Sequence, residues 1–393
     1  MIFEIAPGIF YVGALDFERR LFDELIPLPY GTSYNAFLIK GSEKIALIDT
    51  VDPSKENVLI DNLKKLKINR LDYIIAHHAE QDHSGVIPVV LKHFTEAKVV
   101  TNVKCKELLQ KLLLIPEERF LVIQDKDTLS LGNKTLEFIF APWVHWPETI
   151  LTYLREDQIL FTCDFLGSHF ASSELFVTDE CRYYDSAKRY YAEIMMPFRT
   201  NIRQHLETIS NYQIKLIAPS HGPLHNKPEF ILNAYRDWTS DQVKNEVVIP
   251  YVSMHGSVKA MIDYFSDQLI SLGINVKPFN LTVTDIGELA MALVDAATLV
   301  IGTSAVLTGP HPQTIYIAYL VNALRPKTKF VSLIASYAWG AKVKEKIVEL
   351  IPNVKAELLD GVIIQGYPTK DDFTKLENLA EKIKEKHKNL GII

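Results

Sequence analysis

The segment Ala76-His77-His78-Ala79-Glu80-Gln81-Asp82-His83-Ser84-Gly85 sets the imidazoles of His78 and His83 beside the carboxylates of Glu80 and Asp82 in one short stretch. An apolar run precedes it and a glycine follows, so these donors stand where a strand gives way to a turn. His78, Glu80 and Asp82 alternate; if the segment stays extended they project to one side, where they can chelate a metal. Similar donors close other apolar runs: His145 within Ala141-Pro142-Trp143-Val144-His145-Trp146-Pro147-Glu148-Thr149, Asp164 after Cys163, and His221 within Pro219-Ser220-His221-Gly222-Pro223. A single histidine or aspartate at a strand end is usually a cap or a packed residue. Four strand ends that all present donors are harder to explain by packing. One ion takes about four to six ligands, so His78, Glu80, Asp82, His83, His145, Asp164 and His221 fit two ions sharing a bridging carboxylate. With carboxylates prominent and no thiolate in the set, iron and manganese suit it as well as zinc.

The elements that must position these donors follow from apolar patterning. Short runs at Ile9 to Val12, Asn35 to Ile39 and Lys44 to Ile48 read as strands, Pro53 to Leu66 as a helix, and Leu71 to Ala76 as a buried strand entering the donor segment. A helix at Gly85 to His93, a strand at Lys98 to Thr101, a helix near Lys104 to Leu114 and strands at Thr135 to Phe140, Gln158 to Thr162 and Lys215 to Ala218 follow. This pattern predicts sheets packed between helices, with ligands on loops at the strand ends. Past the polar helix end Asp237-Trp238-Thr239-Ser240-Asp241 the rhythm changes to five βα repeats, from a strand at Glu246 to Val252 through one at Glu357 to Val362 and a terminal helix at Lys370 to Leu390. That is the pattern of an open parallel sheet wound on both sides. Two domains are expected, 1–245 and 246–393, which suits a chain of 393 residues.

Composition narrows the class. Hydrophobic residues at 48% and charged residues at 23% indicate a folded globular protein. The net charge of −6, without a basic stripe, argues against nucleic-acid binding. No apolar run approaches the roughly 20 residues that span a bilayer, and Met1 leads into Ile-Phe-Glu-Ile without a basic leader, so a cytoplasmic protein with no membrane partner is expected. Cys105, Cys163 and Cys181 form no Cys-x-x-Cys pair, which fits a reducing compartment and excludes a rubredoxin-like centre within this chain. Electrons would have to come from an external donor.

The order of motifs resembles the metallo-β-lactamase superfamily, with one departure: Glu80 stands where hydrolases usually carry a second histidine. His-x-Glu-x-Asp-His, followed at family-like intervals by His145, Asp164 and, after a somewhat shorter gap, His221, is similar to the flavodiiron (A-type flavoprotein) family. The fold this resemblance implies is α/β, an N-terminal metallo-β-lactamase-like αββα sandwich followed by a C-terminal flavodoxin-like doubly wound parallel sheet. It implies His78, Glu80 and His145 on one iron, Asp82, His83 and His221 on the other, and Asp164 as the bridge. His77, His169 and His225 read as supporting or surface residues. Trp143, Trp146 and Tyr191 read as packing around the site, and Glu148 and Tyr191 as hydrogen-bonding candidates.

In the second half Ser253-Met254-His255-Gly256-Ser257-Val258 precedes a helix whose free amides suit a phosphate. It resembles the flavodoxin phosphate loop, although Val258 replaces the usual final threonine. Thr303, Ser304, Ala305 and Val306, and Ser336, Tyr337, Ala338, Trp339 and Gly340, follow the next strand runs, where open sheets bind ligands. In flavodoxin-like domains these loops hold FMN. The resemblance thus implies an oxidoreductase that reduces dioxygen to water, nitric oxide to nitrous oxide, or both, with FMN and two irons as cofactors. It also implies a donor such as rubredoxin, a flavoprotein reductase or a reduced deazaflavin, and a head-to-tail homodimer or homotetramer. The competing reading is a dinuclear zinc hydrolase with an accessory domain.

Overall fold

The computed structural model describes residues 2–393. The chain divides into two compact units: the first runs up to Tyr191 and includes Phe198–Thr239, and the second comprises Ala192–Pro197 and Ser240–Ile393.

The first unit is built on two sheets. In one, strands Phe3–Ala6, Ile9–Tyr11, Phe37–Lys40, Ile45–Ile48, Tyr73–Ile75, Lys98–Thr101 and Phe120–Val122 lie side by side in that order. In the other the order is Thr128–Ser130, Thr135–Phe140, Ile150–Leu154, Ile159–Cys163 and Leu216–Pro219. Alternation of side chains explains why both faces of the first sheet are apolar. Phe37, Ile39, Ala46, Ile48 and Ile75 meet Phe138, Ile150, Phe161 and Ala218 of the second sheet in one core. Leu38, Leu47, Ile74 and Val99 face the other way, onto Leu59 and Leu63 of helix Glu56–Lys65, Val90 of helix Ile87–His93 and Leu109 of helix Val103–Leu113. Helices Arg199–Ile209 and Pro228–Thr239 are likewise amphipathic, burying Ile202, Leu206 and Ile209, and Ile231, Leu232 and Tyr235. The result is an αββα sandwich, as expected from the sequence. The strand Ile150–Leu154, buried at every position and so without alternation, and the amphipathic helix Glu180–Tyr190, which buries Tyr183, Ala187 and Tyr190, both lie outside the expected elements.

The second unit is a parallel sheet in the order Asn275–Asn280, Lys244–Tyr251, Ala296–Val306, Phe330–Tyr337, with Glu357–Leu358 and Val362–Gln365 both on the last edge. Numbered along the chain this is 2-1-3-4-5, the flavodoxin-like order. Helices cover both faces: Met261, Phe265, Leu379 and Ile383 pack on one, Leu289, Ile317, Val321 and Ile347 on the other. Two expectations need correction. The run Glu357 to Val362 is not one strand: Glu357–Leu358 and Val362–Gln365 are separate, and between them Gly361 lets the backbone approach the Leu333 carbonyl oxygen, which a Cβ would meet at 2.4 Å. Thr303–Val306 and Ser336–Tyr337 remain in strand, stabilised by pairings such as Ser304 with Ser336, rather than leaving it as loops. Among the described residues no helix is long and apolar enough to cross a membrane.

Candidate metal and flavin sites

The donors of the first unit arrive on the ends of neighbouring strands. Ile159–Cys163 and Leu216–Pro219 are parallel, with Cys163 opposite Pro219, so Asp164 and His221 emerge at one end of the sheet. Thr135–Phe140 and Ile150–Leu154 pair antiparallel, and the loop between them carries His145. Strand Tyr73–Ile75 of the other sheet delivers His78 and Glu80. The extended geometry expected for that segment ends at Glu80 (φ −60, ψ 140), and Gln81–Ser84 is a single helical turn. Asp82 therefore parts from His78 and Glu80 and turns with His83 toward His221. The helical turn splits the motif between two clusters.

In the first cluster Glu80 Oε2 lies 3.0 Å from His78 Nε2 and 3.1 Å from His145 Nε2. In the second Asp82 Oδ2 lies 3.0 Å from His221 Nε2 and 3.4 Å from His83 Nε2. Asp164 stands between them. Its Oδ2 is 3.5 Å from both His78 Nε2 and His145 Nε2, while its Oδ1 is 2.9 Å from His83 Nε2 and 3.4 Å from His221 Nε2. All seven predicted donors are thus brought together, with one carboxylate addressing both groups.

Supporting contacts aim the rings. Glu148 Oε1 accepts from His78 Nδ1 at 2.8 Å and from the Ala79 amide at 3.1 Å, and the Ser33 carbonyl accepts from His221 Nδ1 at 2.6 Å. Each bond fixes its ring with Nε2 turned toward the cluster. Tyr190 donates its hydroxyl to Asp164 Oδ1 at 3.1 Å. Tyr190 is not among the residues singled out from the sequence; Tyr191, the hydrogen-bonding candidate, bonds the Trp238 carbonyl. Trp146 packs edge-on against the His78 ring, whereas Trp143 is half exposed and stacks on Phe198. His77 is buried but bonds Asp49 and Thr152, and His225 bonds Tyr183 and the Leu166 carbonyl, so neither joins the clusters. His169 lies against His221, with ring centroids 4.7 Å apart, and shares Thr32 with it.

The electrostatics call for added positive charge. Burial opposes protonation of His78, yet Glu148, Glu80 and Asp164 outweigh it and push the ring up to about 10. Burial likewise opposes protonation of His83 and His145, and facing carboxylates push each up to about 10. Asp164, despite burial that favours its neutral form, is held well below the usual carboxylate range by His83, His145 and His78. Both oxygens of Asp82 and Nδ1 of His83 are buried without a hydrogen bond. Asp82 Oδ2 stands 3.0 Å from His221 Nε2, close enough for both to ligate one cation. The donor set fits metal ions.

Comparison with known proteins agrees. The family model described as ODP family beta lactamase matches residues 32–222. A nitric oxide reductase of Moorella thermoacetica is 34% identical over 389 residues, covering 96% of this chain and 97% of that protein. The type A flavoprotein of Rhodobacter capsulatus is 30% identical, covering 93% and 87%. The chain belongs to the flavodiiron, or type A flavoprotein, family. The crystal structure of the flavodiiron protein from Giardia intestinalis superposes with a TM-score of 0.92 at 26% identity, covering 98% of this chain and 96% of that one. Flavodiiron membership implies iron and a flavin.

The second unit has a place suited to the flavin. Gly256 takes φ +88 at the start of the helix Ser257–Ser271, a left-handed conformation that suits glycine. The Ser253 hydroxyl accepts from the Lys259 amide at 3.1 Å, and the Ser304 hydroxyl accepts from the Met254 amide at 3.2 Å, tying the first turn to the next strand. That strand reverses through Leu307 and Thr308, both at positive φ, and the Thr308 carbonyl accepts from the Lys342 amide at 2.7 Å, just past Gly340. The expected FMN residues therefore gather at the carboxyl ends of three adjacent strands. Met254, Leu307 and Trp339 are exposed there, apolar surface that a planar ring can cover.

Proposed function

We propose that this chain reduces dioxygen to water, nitric oxide to nitrous oxide, or both, at a pair of iron ions that receives electrons from FMN. His78, Glu80 and His145 would hold one ion and Asp82, His83 and His221 the other, with Asp164 shared between the two groups. The observation that carries this reading is Asp164 itself, whose two oxygens each face a different donor cluster. When bound, the metal pair supplies a place for a diatomic gas and two electrons together, and the flavin supplies electron storage.

The chain's own groups do the rest. Glu148 and the Ser33 carbonyl hold His78 and His221 with Nε2 inward. The Tyr190 hydroxyl holds a proton at Asp164 Oδ1. Trp146, Tyr34 and Phe22 line the clusters with aromatic rings and limit water. Glu80, a hard anionic donor where hydrolases place histidine, favours iron and redox work over zinc hydrolysis. Ser253, Met254, His255, Gly256 and Ser257 hold the FMN phosphate, and Thr303–Val306 and Ser336–Gly340 flank its ring. The first unit is thus the diiron domain and the second the FMN domain.

The reductase named among the relatives supports nitric oxide as a substrate. For the donor we propose rubredoxin, a flavoprotein reductase or a reduced deazaflavin, in a reducing cytoplasm that suits the free thiols of Cys105, Cys163 and Cys181. We further propose head-to-tail association of copies, bringing the flavin of one subunit to the metals of another; activity that falls on dilution as the assembly dissociates supports this, and full activity in a monomer contradicts it. Metal and flavin analysis tests the function against the hydrolase reading: iron with FMN is expected, and zinc without flavin, together with ester or phosphodiester hydrolysis, would overturn it.

A further inference from the structure

Asp164 is followed by Phe165, a fully buried ring that meets Tyr235 edge-on, with centroids 5.5 Å apart. Tyr235 lies 5.2 Å from Trp238, and Trp238 lies 5.2 Å from Tyr184, whose hydroxyl accepts from the indole Nε1 at 2.9 Å. Tyr191 flanks both Tyr235 and Trp238, at 5.4 and 5.3 Å. The series leads from the metal-site carboxylate to helix Glu180–Tyr190, where Tyr184 is partly exposed and the exposed thiol of Cys181 stands three residues earlier on the same helix face.

Packing alone does not require these residue types. Helices Glu180–Tyr190 and Pro228–Thr239 could be joined by leucine and phenylalanine. Tyr235 carries a hydroxyl that is buried beside the Leu166 backbone and makes no hydrogen bond of ordinary geometry, a cost phenylalanine would avoid. What phenols and an indole offer beyond bulk is easy one-electron oxidation. We infer that Tyr235, Trp238 and Tyr184 form a path that delivers an electron toward the Asp164 site from a thiol at the surface, protecting the metal donors when the flavin runs short during dioxygen reduction. This inference rests on the proposed function, which supplies dioxygen as the oxidant.

The balance closes at each ring. Trp238 gives up one electron inward, passed through contact with Tyr235 and Phe165. Tyr235 relays but does not store the charge, because its buried phenol has nowhere to leave its proton. Tyr184 restores the indole with one electron and releases its phenolic proton to solvent. A thiol, that of Cys181 or of a free small thiol, then gives a hydrogen atom to the Tyr184 oxygen, and two such sulfurs join as a disulfide.

The test uses the iron- and FMN-loaded protein, reduced and then exposed to excess dioxygen without donor, with and without glutathione. Wild type is expected to show an organic-radical signal in freeze-quenched samples. Repeated exposure without thiol should leave oxygenated Trp238 or Tyr184 in its peptides, suppressed by glutathione. Trp238→Phe and the milder surface variants Tyr184→Phe and Cys181→Ser are compared at equal initial rates of gas consumption. Trp238→Phe and Tyr184→Phe should inactivate after several-fold fewer turnovers, with oxidation moving to the peptides of His78 and His83. Cys181→Ser should make protection depend wholly on added thiol. If wild type consumes dioxygen but shows no radical, no oxidation at these rings and the same lifetime as Tyr184→Phe, the path is wrong and the function stands. If wild type consumes no dioxygen, the function is wrong and the path falls with it.

Discussion

Glu148 shows how much of the metal site lies outside the seven donors. One of its oxygens accepts from both His78 Nδ1 and the Ala79 amide, so it fixes a ring and the backbone beside that ring at once. Glu148→Ala should weaken metal binding about 10–100-fold, measured by competition with a chelator. Glu148→Gln, whose amide oxygen still accepts both bonds, should recover most of that loss; equal affinity in Glu148→Ala and wild type would remove Glu148 from this role. The proposed donors are legible in the sequence because they gather where four apolar runs end, and chemistry limits which residue types bind metals. Their supports were less so. Ser33 acts through its backbone carbonyl, which no side chain advertises. Tyr190 and Tyr191 differ by about 100° around a helix, and the apolar periodicity of Glu180–Tyr190 marks a buried face without showing which ring reaches Asp164.

At the scale of elements, apolar runs mark where most strands lie but not where they end. The helical turn Gln81–Ser84 is too short to leave a periodic pattern, yet it separates Asp82 from Glu80. Strand extensions such as Thr303–Val306 arise from pairing with distant partners, which local propensity does not report. The helix start at Gly256 was legible from its glycine. With φ +88 and open space around it, Gly256→Ala meets no clash, so the cost is conformational, about 1–2 kcal/mol. A lower denaturation midpoint with weaker FMN binding is expected; unchanged values for both would mean the turn relaxes freely. The terminal helix Lys370–Asn389 offers a pH test. His387 is buried, donates from Nδ1 to Asn245 Oδ1 and accepts at Nε2 from the Thr298 hydroxyl, so its neutral form satisfies both ends. Burial lowers its pKa from 6.5 to about 4. Below pH 6.5 the unfolded chain takes up a proton that the folded one refuses, so its stabilising contribution is full above that value and is lost as pH falls toward about 4. Denaturation midpoints of wild type should fall more steeply across this window than those of His387→Gln, and parallel profiles would exclude His387.

For the whole molecule, the two units have separate cores, so on the proposed function metal and flavin would stabilise different parts of the chain. Glu80, Asp82 and Asp164 are each buried against histidines of the first unit, and without ions only those histidines offset their charge. Ligand linkage gives about 2.7 kcal/mol for each site held at 100 times its dissociation constant. Chelation should therefore lower the melting temperature of the first unit and leave flavin fluorescence and binding in the second largely intact. A single transition indifferent to chelator would show that the seven donors hold nothing. The most direct test of the proposed chemistry is anaerobic. The iron- and FMN-loaded protein is reduced fully, then mixed with dioxygen or with nitric oxide while flavin absorbance and gas are followed. Flavin reoxidation matched by consumption of at least one gas, and abolished in Asp164→Ala that still binds FMN, is the expected result; flavin that stays reduced while neither gas disappears would contradict it.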